Sequence, residues 1–147
     1  MKKILLLLML ILGVNSIFAQ KFEKIKALKT TFIADRLDLT PAEAEKFWPV
    51  YNFYEKEIHQ YQVIDKMDLM QSIKEKGSIA TLSDKEADEV LKKVLDIDEK
   101  IAKTEKNKYL ALNKVVPTHK VLKLMRVEEG FKRELFRLLH EQKNKRD

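Results

Sequence analysis

A chain of 147 residues with 45% hydrophobic and 35% charged side chains, but only three glycines and three prolines, has the composition of one helical domain. So few Gly and Pro leave little to punctuate the short strands of a sheet, whereas abundant Leu, Lys, Glu and Ala suit long amphipathic helices, so the predicted fold class is all-α. The absence of cysteine excludes disulfides, thiolate metal sites and thiol redox chemistry, and the formal charge of +6 reads first as a solvated helical surface with a scattered basic excess.

The first residues address the chain. Lys2 and Lys3 form a basic start, Ile4 to Val14 an apolar stretch, and Ser16-Ile17-Phe18-Ala19 ends on a small residue before Gln20. This is the pattern of a Sec-type signal peptide over residues 1–19, cleaved after Ala19. The apolar stretch is shorter than the roughly 20 residues a membrane-spanning helix needs. With no cysteine to carry a lipid anchor, the mature part, residues 20–147, is expected to be a soluble periplasmic protein. Removing Lys2 and Lys3 takes the 29 basic residues to 27 against 23 acidic, a charge of about +4. In an exported protein that excess points to anionic lipid, lipopolysaccharide or acidic unfolded chains, so peripheral membrane contact is an expected partner class and nucleic acid is not.

Four amphipathic helices in antiparallel hairpins are predicted along the mature part. Phe22, Ile25, Leu28, Phe32, Ile33 and Leu37 repeat at helical spacing over about residues 21 to 37. Leu39-Thr40-Pro41-Ala42-Glu43 then opens a second helix: Thr40 caps free amides, Pro41 fits the first position and Glu43 completes a capping box. This helix runs to about Lys74, with Phe47, Tyr51, Tyr54, Ile58 and Tyr61 alternating four and three apart as a core stripe. Trp48 and Phe53 point away from that stripe and need a second surface, either helices one and four or a dimer or client contact. Pro49 deletes a backbone hydrogen bond inside the helix, so a kink is predicted there.

Gly77-Ser78 breaks the pattern, and Leu82-Ser83-Asp84-Lys85-Glu86 repeats the same helix start, with Ser83 as cap and Glu86 as its partner. A third helix follows to about Val115. Ala87, Val90, Val94, Ile97 and Ile101 form its seam, while Glu105 and Lys108 fall where apolar residues would continue it, so that half is expected to be looser or more exposed. Val116-Pro117-Thr118 makes a joint. Helix four runs from about Pro117 to Lys143 through Val121, Leu124, Met125, Phe131, Leu135, Leu138 and Leu139. Glu128 sits centrally in that stripe, where full burial without a cation would be costly; a splayed edge reached by water is its expected setting. The end, from Gln142 to Asp147, reads as a polar, frayed tail.

Catalysis is not expected. A hydrolase needs a nucleophile with a base, or placed carboxylates, usually offered from loops, and this chain has almost no loop. His59, His119 and His140 lie on separate stretches with no H-E-x-x-H pairing, and no glycine-rich phosphate loop occurs. These three imidazoles are the ligands available to the alternative reading, a periplasmic heavy-metal sensor. His119 and His140 lie about six turns apart on one helix and cannot chelate one ion together. Met67, Met70 and Met125 suit soft copper but more commonly fill cores. No cofactor is expected.

The two helix starts at Leu39-Thr40-Pro41-Ala42-Glu43 and Leu82-Ser83-Asp84-Lys85-Glu86, in a small exported helical chain, resemble the paired LTxxQ motifs of the Spy/CpxP family, with glutamate for glutamine in both and serine for threonine in the second. One branch, labelled sensor of an ECF-type sigma factor, shows LTPAEAxxFWPVYNxYExE and later VxPxxKVxKLxxxExxFKREL. Here those segments are Leu39 to Glu57 and Val115 to Leu135, and Phe47 to Tyr51 is the most distinctive piece. The resemblance implies a periplasmic envelope-stress protein with a cradle or open-bundle fold. It would bind unfolded or envelope proteins without ATP, or report stress to a membrane sensor or sigma-regulating protein, and a homodimer is the expected assembly. The residues expected to meet the partner are Phe47, Trp48, Tyr51, Phe53 and Tyr54.

Overall fold

The all-α expectation holds. The computed structural model describes residues 23–144, which form helices, turns and no strand. The expected signal peptide at residues 1–19, the start of the first helix and the last three residues of the chain lie outside the described residues. Helix α1 covers residues 23–37, α2 Pro41–His59, α3 Lys66–Glu75, α4 Asp84–Leu112 and α5 Thr118–Asn144. A π-helical segment, Gln60–Asp65, joins α2 to α3 without a break, and a short 3-10 turn, Ile79–Thr81, precedes α4. The predicted second helix is thus one rod of three windings. The described residues divide into two compact units, residues 40–121 and residues 23–39 with 122–144, and one of the two boundaries falls inside α5.

Local chemistry sets the helix ends. Both capping boxes form: the Glu43 amide donates to the Thr40 hydroxyl at 3.3 Å while the Thr40 amide donates to the Glu43 carboxylate at 2.8 Å, and Ser83 and Glu86 repeat the exchange at 3.4 and 3.0 Å. The left-handed region stops two helices. Asp38 takes φ +56° just past α1, and Gly77 takes φ +110° past α3, where its amide bonds back to the Lys74 carbonyl.

The unit of residues 40–121 is an antiparallel hairpin of the α2–α3 rod against α4. Partner numbers fall as rod numbers rise: Glu55 pairs with Lys108, Lys66 with Asp98 and Lys76 with Glu86. Phe47, Tyr51, Ile58, Leu69 and Ile73 of the rod are buried, as are Ile97 and Leu112 of α4. The π segment has a cause in this list. Phe47, Tyr51, Tyr54, Ile58 and Tyr61 advance by four and three; the next steps of seven from Ile58 and Tyr61 would bring Asp65 and Asp68 inward, whereas Leu69 and Ile73 are the residues buried. One extra residue separates the two stripes, and a wider π turn absorbs it. Pro49 sits exposed within α2, which is α-helical on both sides of it, so the break in α-helical winding falls at Gln60–Asp65. A proline on the solvent side loses a bond where carbonyls already tilt toward water.

The expectation for the two halves of α4 is corrected. The second half of α4 is not the looser one: Thr104, Lys108 and Leu112 are all buried, whereas Ala87 and Val94 of the first half are exposed. Lys108, only 2% exposed, is admitted because the Glu55 carboxylate lies 2.8 Å from its ammonium and the rings of Tyr51 and Tyr109 lie within 5.3 and 4.9 Å.

In the other unit α1 packs on α5. Ile33 and Leu37 are buried, as are Leu124, Val127 and Phe131, and Phe32 meets Phe131 edge to face with ring centres 5.5 Å apart. Leu28, placed on the apolar stripe by its spacing, is exposed instead. Glu128 is not at a watered edge: it is buried, with the Lys29 ammonium 3.4 Å away. That cation is what makes the burial tolerable.

Candidate functional site

The two motif starts act as clamps. Besides its capping role, the Glu43 carboxylate accepts a 2.6 Å bond from Lys120, and Glu86 accepts one of 3.0 Å from Lys76. Each motif therefore fixes a helix start and ties it to residues at another helix end. The Lys120 ammonium, then the Thr40 amide, hold the Glu43 carboxyl below its ordinary value. Lys76, then the Ser83 amide and hydroxyl, pull Glu86 down to about 2. Leu39 and Leu82 are half-buried beside the caps, and Pro41 occupies the first helical position. These residues position the hairpin and offer no free reactive group.

The aromatic segment is largely core. Phe47 is fully buried and Tyr51 nearly so, stacked at 5.3 Å, while Trp48 lies half-buried with its edge toward both at 5.0 and 5.7 Å. Tyr54 is also half-buried, and only Phe53, 58% exposed, presents surface. Of the five residues expected to meet a partner, Phe47 and Tyr51 are therefore buried, Trp48 and Tyr54 are half-buried and Phe53 is exposed.

His59 is half-buried, and His119 and His140 are exposed. Among the described residues no three His, Asp or Glu side chains come together at metal-binding spacing. No helix among them is long and apolar enough to cross a membrane.

The surface that sequence reasoning missed lies lower on the hairpin. Met67, Met70, Leu91, Val94 and Leu95 are each 36 to 58% exposed. At 100° per residue, Met67 and Met70 fall on the side of the α3 core line that carries Lys66, and Leu91, Val94 and Leu95 on the side of the α4 core line that carries Asp98. The Lys66–Asp98 bridge, 2.8 Å long, ties those sides together. Five large apolar side chains thus share one face. A signal for it exists in the sequence: Leu91, Val94 and Leu95 form a second run at helical spacing beside the core stripe. By spacing alone Val94 reads as part of the core seam and the methionines as core filling.

No family model, curated protein or solved structure matches this chain.

The unit formed by α1 and α5 also carries a groove, of about 620 Å³, lined by Lys24, Leu28, Phe32, Arg36, Glu134 and Leu138. Arg36 lies over the Phe32 ring, 3.5 Å from its centre. Its rim bears both signs of charge. What the two units offer chemically is apolar and charged surface on stiff helices, suited to binding by burial.

Proposed function

We propose that this chain is an exported envelope-stress protein of the Spy/CpxP-like kind, acting by non-catalytic protein binding as an ATP-independent chaperone or as a stress-sensing adaptor linked to an ECF-type sigma factor system. The observation that carries the reading is the Met67–Met70–Leu91–Val94–Leu95 face, an unpolarised apolar surface on a clamped hairpin. Methionine is flexible and polarisable, which suits a surface that must accept unrelated sequences. Each of the five side chains has about half its area still to bury, roughly 1 kcal/mol apiece, so capture is weak and reversible once association costs are subtracted. The motif resemblance of Leu39 to Glu57 and the basic excess suit the same role.

Light scattering of an aggregating client tests it. The mature protein at near-equimolar ratio is expected to suppress aggregation, and Met70→Lys with Leu91→Lys to lose most of that suppression at unchanged helical content. Failure of the unaltered protein to suppress any of several clients would remove the chaperone reading. Crosslinking in cells under envelope stress separates the two roles: a spread of misfolded outer-membrane polypeptides marks a chaperone, one trapped membrane regulator an adaptor.

A further inference from the structure

Sulfur is scarce in this chain and unevenly placed. There is no cysteine, and of the five methionines Met1 and Met9 fall in the expected signal peptide, which leaves Met67, Met70 and Met125. These three are 53, 50 and 41% exposed. With no thiol to compete, their thioethers are the sulfur that an oxidant meets first. Met67 and Met70 lie one turn apart on α3, on the apolar face they share with Leu91, Val94 and Leu95, whereas Met125 belongs to the other unit.

A thioether takes one oxygen from a peroxide. The sulfur lone pair attacks the outer oxygen, the O–O bond breaks, and the proton on the transferred oxygen passes to the departing hydroxide, which leaves as water. The sulfur gives up two electrons and the peroxide takes them. The new oxygen is a strong hydrogen-bond acceptor, so a face that bears two of them resists being covered. The hairpin core is spared this change. Leu69, between the two methionines, turns inward and is 8% exposed, and Ile73 follows at 4%, so both sulfoxide oxygens can stay in water without unpacking the helices.

We propose that Met67 and Met70 form a paired oxidation site, at which a peroxide converts both thioethers to sulfoxides and closes the apolar face of the hairpin to its clients. The loss of holding rests on the client-binding reading of that face; the chemistry at the two sulfurs does not.

Hydrogen peroxide treatment of the mature chain, followed by peptide mass spectrometry, dye binding and light scattering, tests it. Met67 and Met70 are expected to oxidise within about fivefold of the rate of free methionine. Helical content stays unchanged, while bis-ANS fluorescence falls about twofold and the amount of protein needed to hold a client rises about tenfold. Methionine sulfoxide reductases of both stereospecificities, with dithiothreitol, restore dye binding and holding. Met67→Leu combined with Met70→Leu, a volume-conserving exchange on a half-exposed surface, keeps both through the same treatment although Met125 is still oxidised. The proposal is overturned if the two methionines oxidise on the order of a hundredfold more slowly than free methionine, if their sulfoxides leave dye binding unchanged, or if the double variant loses as much as the unaltered chain. Holding that survives full oxidation also overturns it and leaves the client reading standing. A chain that holds no client before treatment removes the client reading, and dye binding then decides the oxidation site by itself.

Discussion

Glutamate at the motif positions Glu43 and Glu86 does what glutamine cannot: it accepts the cap's hydrogen bonds while carrying the charge that Lys120 and Lys76 pair with. The carboxyl of Glu86 lies at about 2 in the folded chain against an ordinary 4.5. A depressed folded value means the stabilisation is complete above 4.5 and is lost as pH falls toward 2. In thermal melts followed by circular dichroism, Glu86→Gln is therefore expected to melt below the unaltered protein at pH 6, and the gap to close between pH 4.5 and 2. A gap that stays constant over that range would show that the carboxylate charge contributes nothing. Backbone geometry decides a second residue. Gly77 has φ +110°, and a Cβ there would stand 2.7 Å from the Thr81 hydroxyl oxygen. Gly77→Ala is expected to cost about 1–3 kcal/mol in urea denaturation. The caps and this glycine were legible in the sequence because their partners are three or four residues away.

Elements were legible in position but not in every facing direction. The stripe from Phe47 to Tyr61 predicts a helix, yet the phase change before Leu69 and Ile73 requires knowing which later residues meet α4. If the π segment absorbs one surplus residue, deletion of Gln62 should leave a cooperatively folded protein with a melting temperature within a few degrees, whereas deletion of Asn52 within α2 should unfold it by turning Phe47 and Ile58 out of phase. Lys108 was misread for a related reason. A lysine in a seam reads as exposed unless its counter-ion is known, and Glu55 lies 53 positions away in the chain. Glu55→Ala, leaving that ammonium buried without its carboxylate, is expected to cost about 2–4 kcal/mol, less than a fully dry pair because Glu55 is partly wetted. Lys108→Met combined with Glu55→Leu should recover most of it. Chemical denaturation of the three variants checks this, and an additive double variant would mean the two groups do not depend on each other.

At the scale of the molecule, the exposed apolar side chains fall in two groups that belong to different units: Met67, Met70, Leu91, Val94 and Leu95 on the hairpin, and Leu122, Met125, Phe136 and Leu139 on α5. The first has no charge order that would select one partner. Leu91→Lys is expected to reduce client holding, and Phe136→Lys to leave most of it intact, both read by light scattering of an aggregating client. Equal loss of holding in the two variants would mean that the exposed side chains of α5 take part in it as well. Of the residues first expected to meet a partner, only Phe53 offers substantial surface, because the FWPVY segment is an inward-facing stripe as well as a distinctive motif.

The sequence by itself determined the all-α class, the four helical stretches, both capped starts and the break at Gly77, since each depends on composition, periodicity or a bond between near neighbours. Only the tertiary structure decided which apolar residues are spent in the core and which are left over, where the rod must take an extra residue, and that Lys108 and Glu128 lie buried beside Glu55 and Lys29. Those outcomes depend on side chains brought together from distant positions, and a single helix's pattern is the same whether its neighbour covers one stripe or the next.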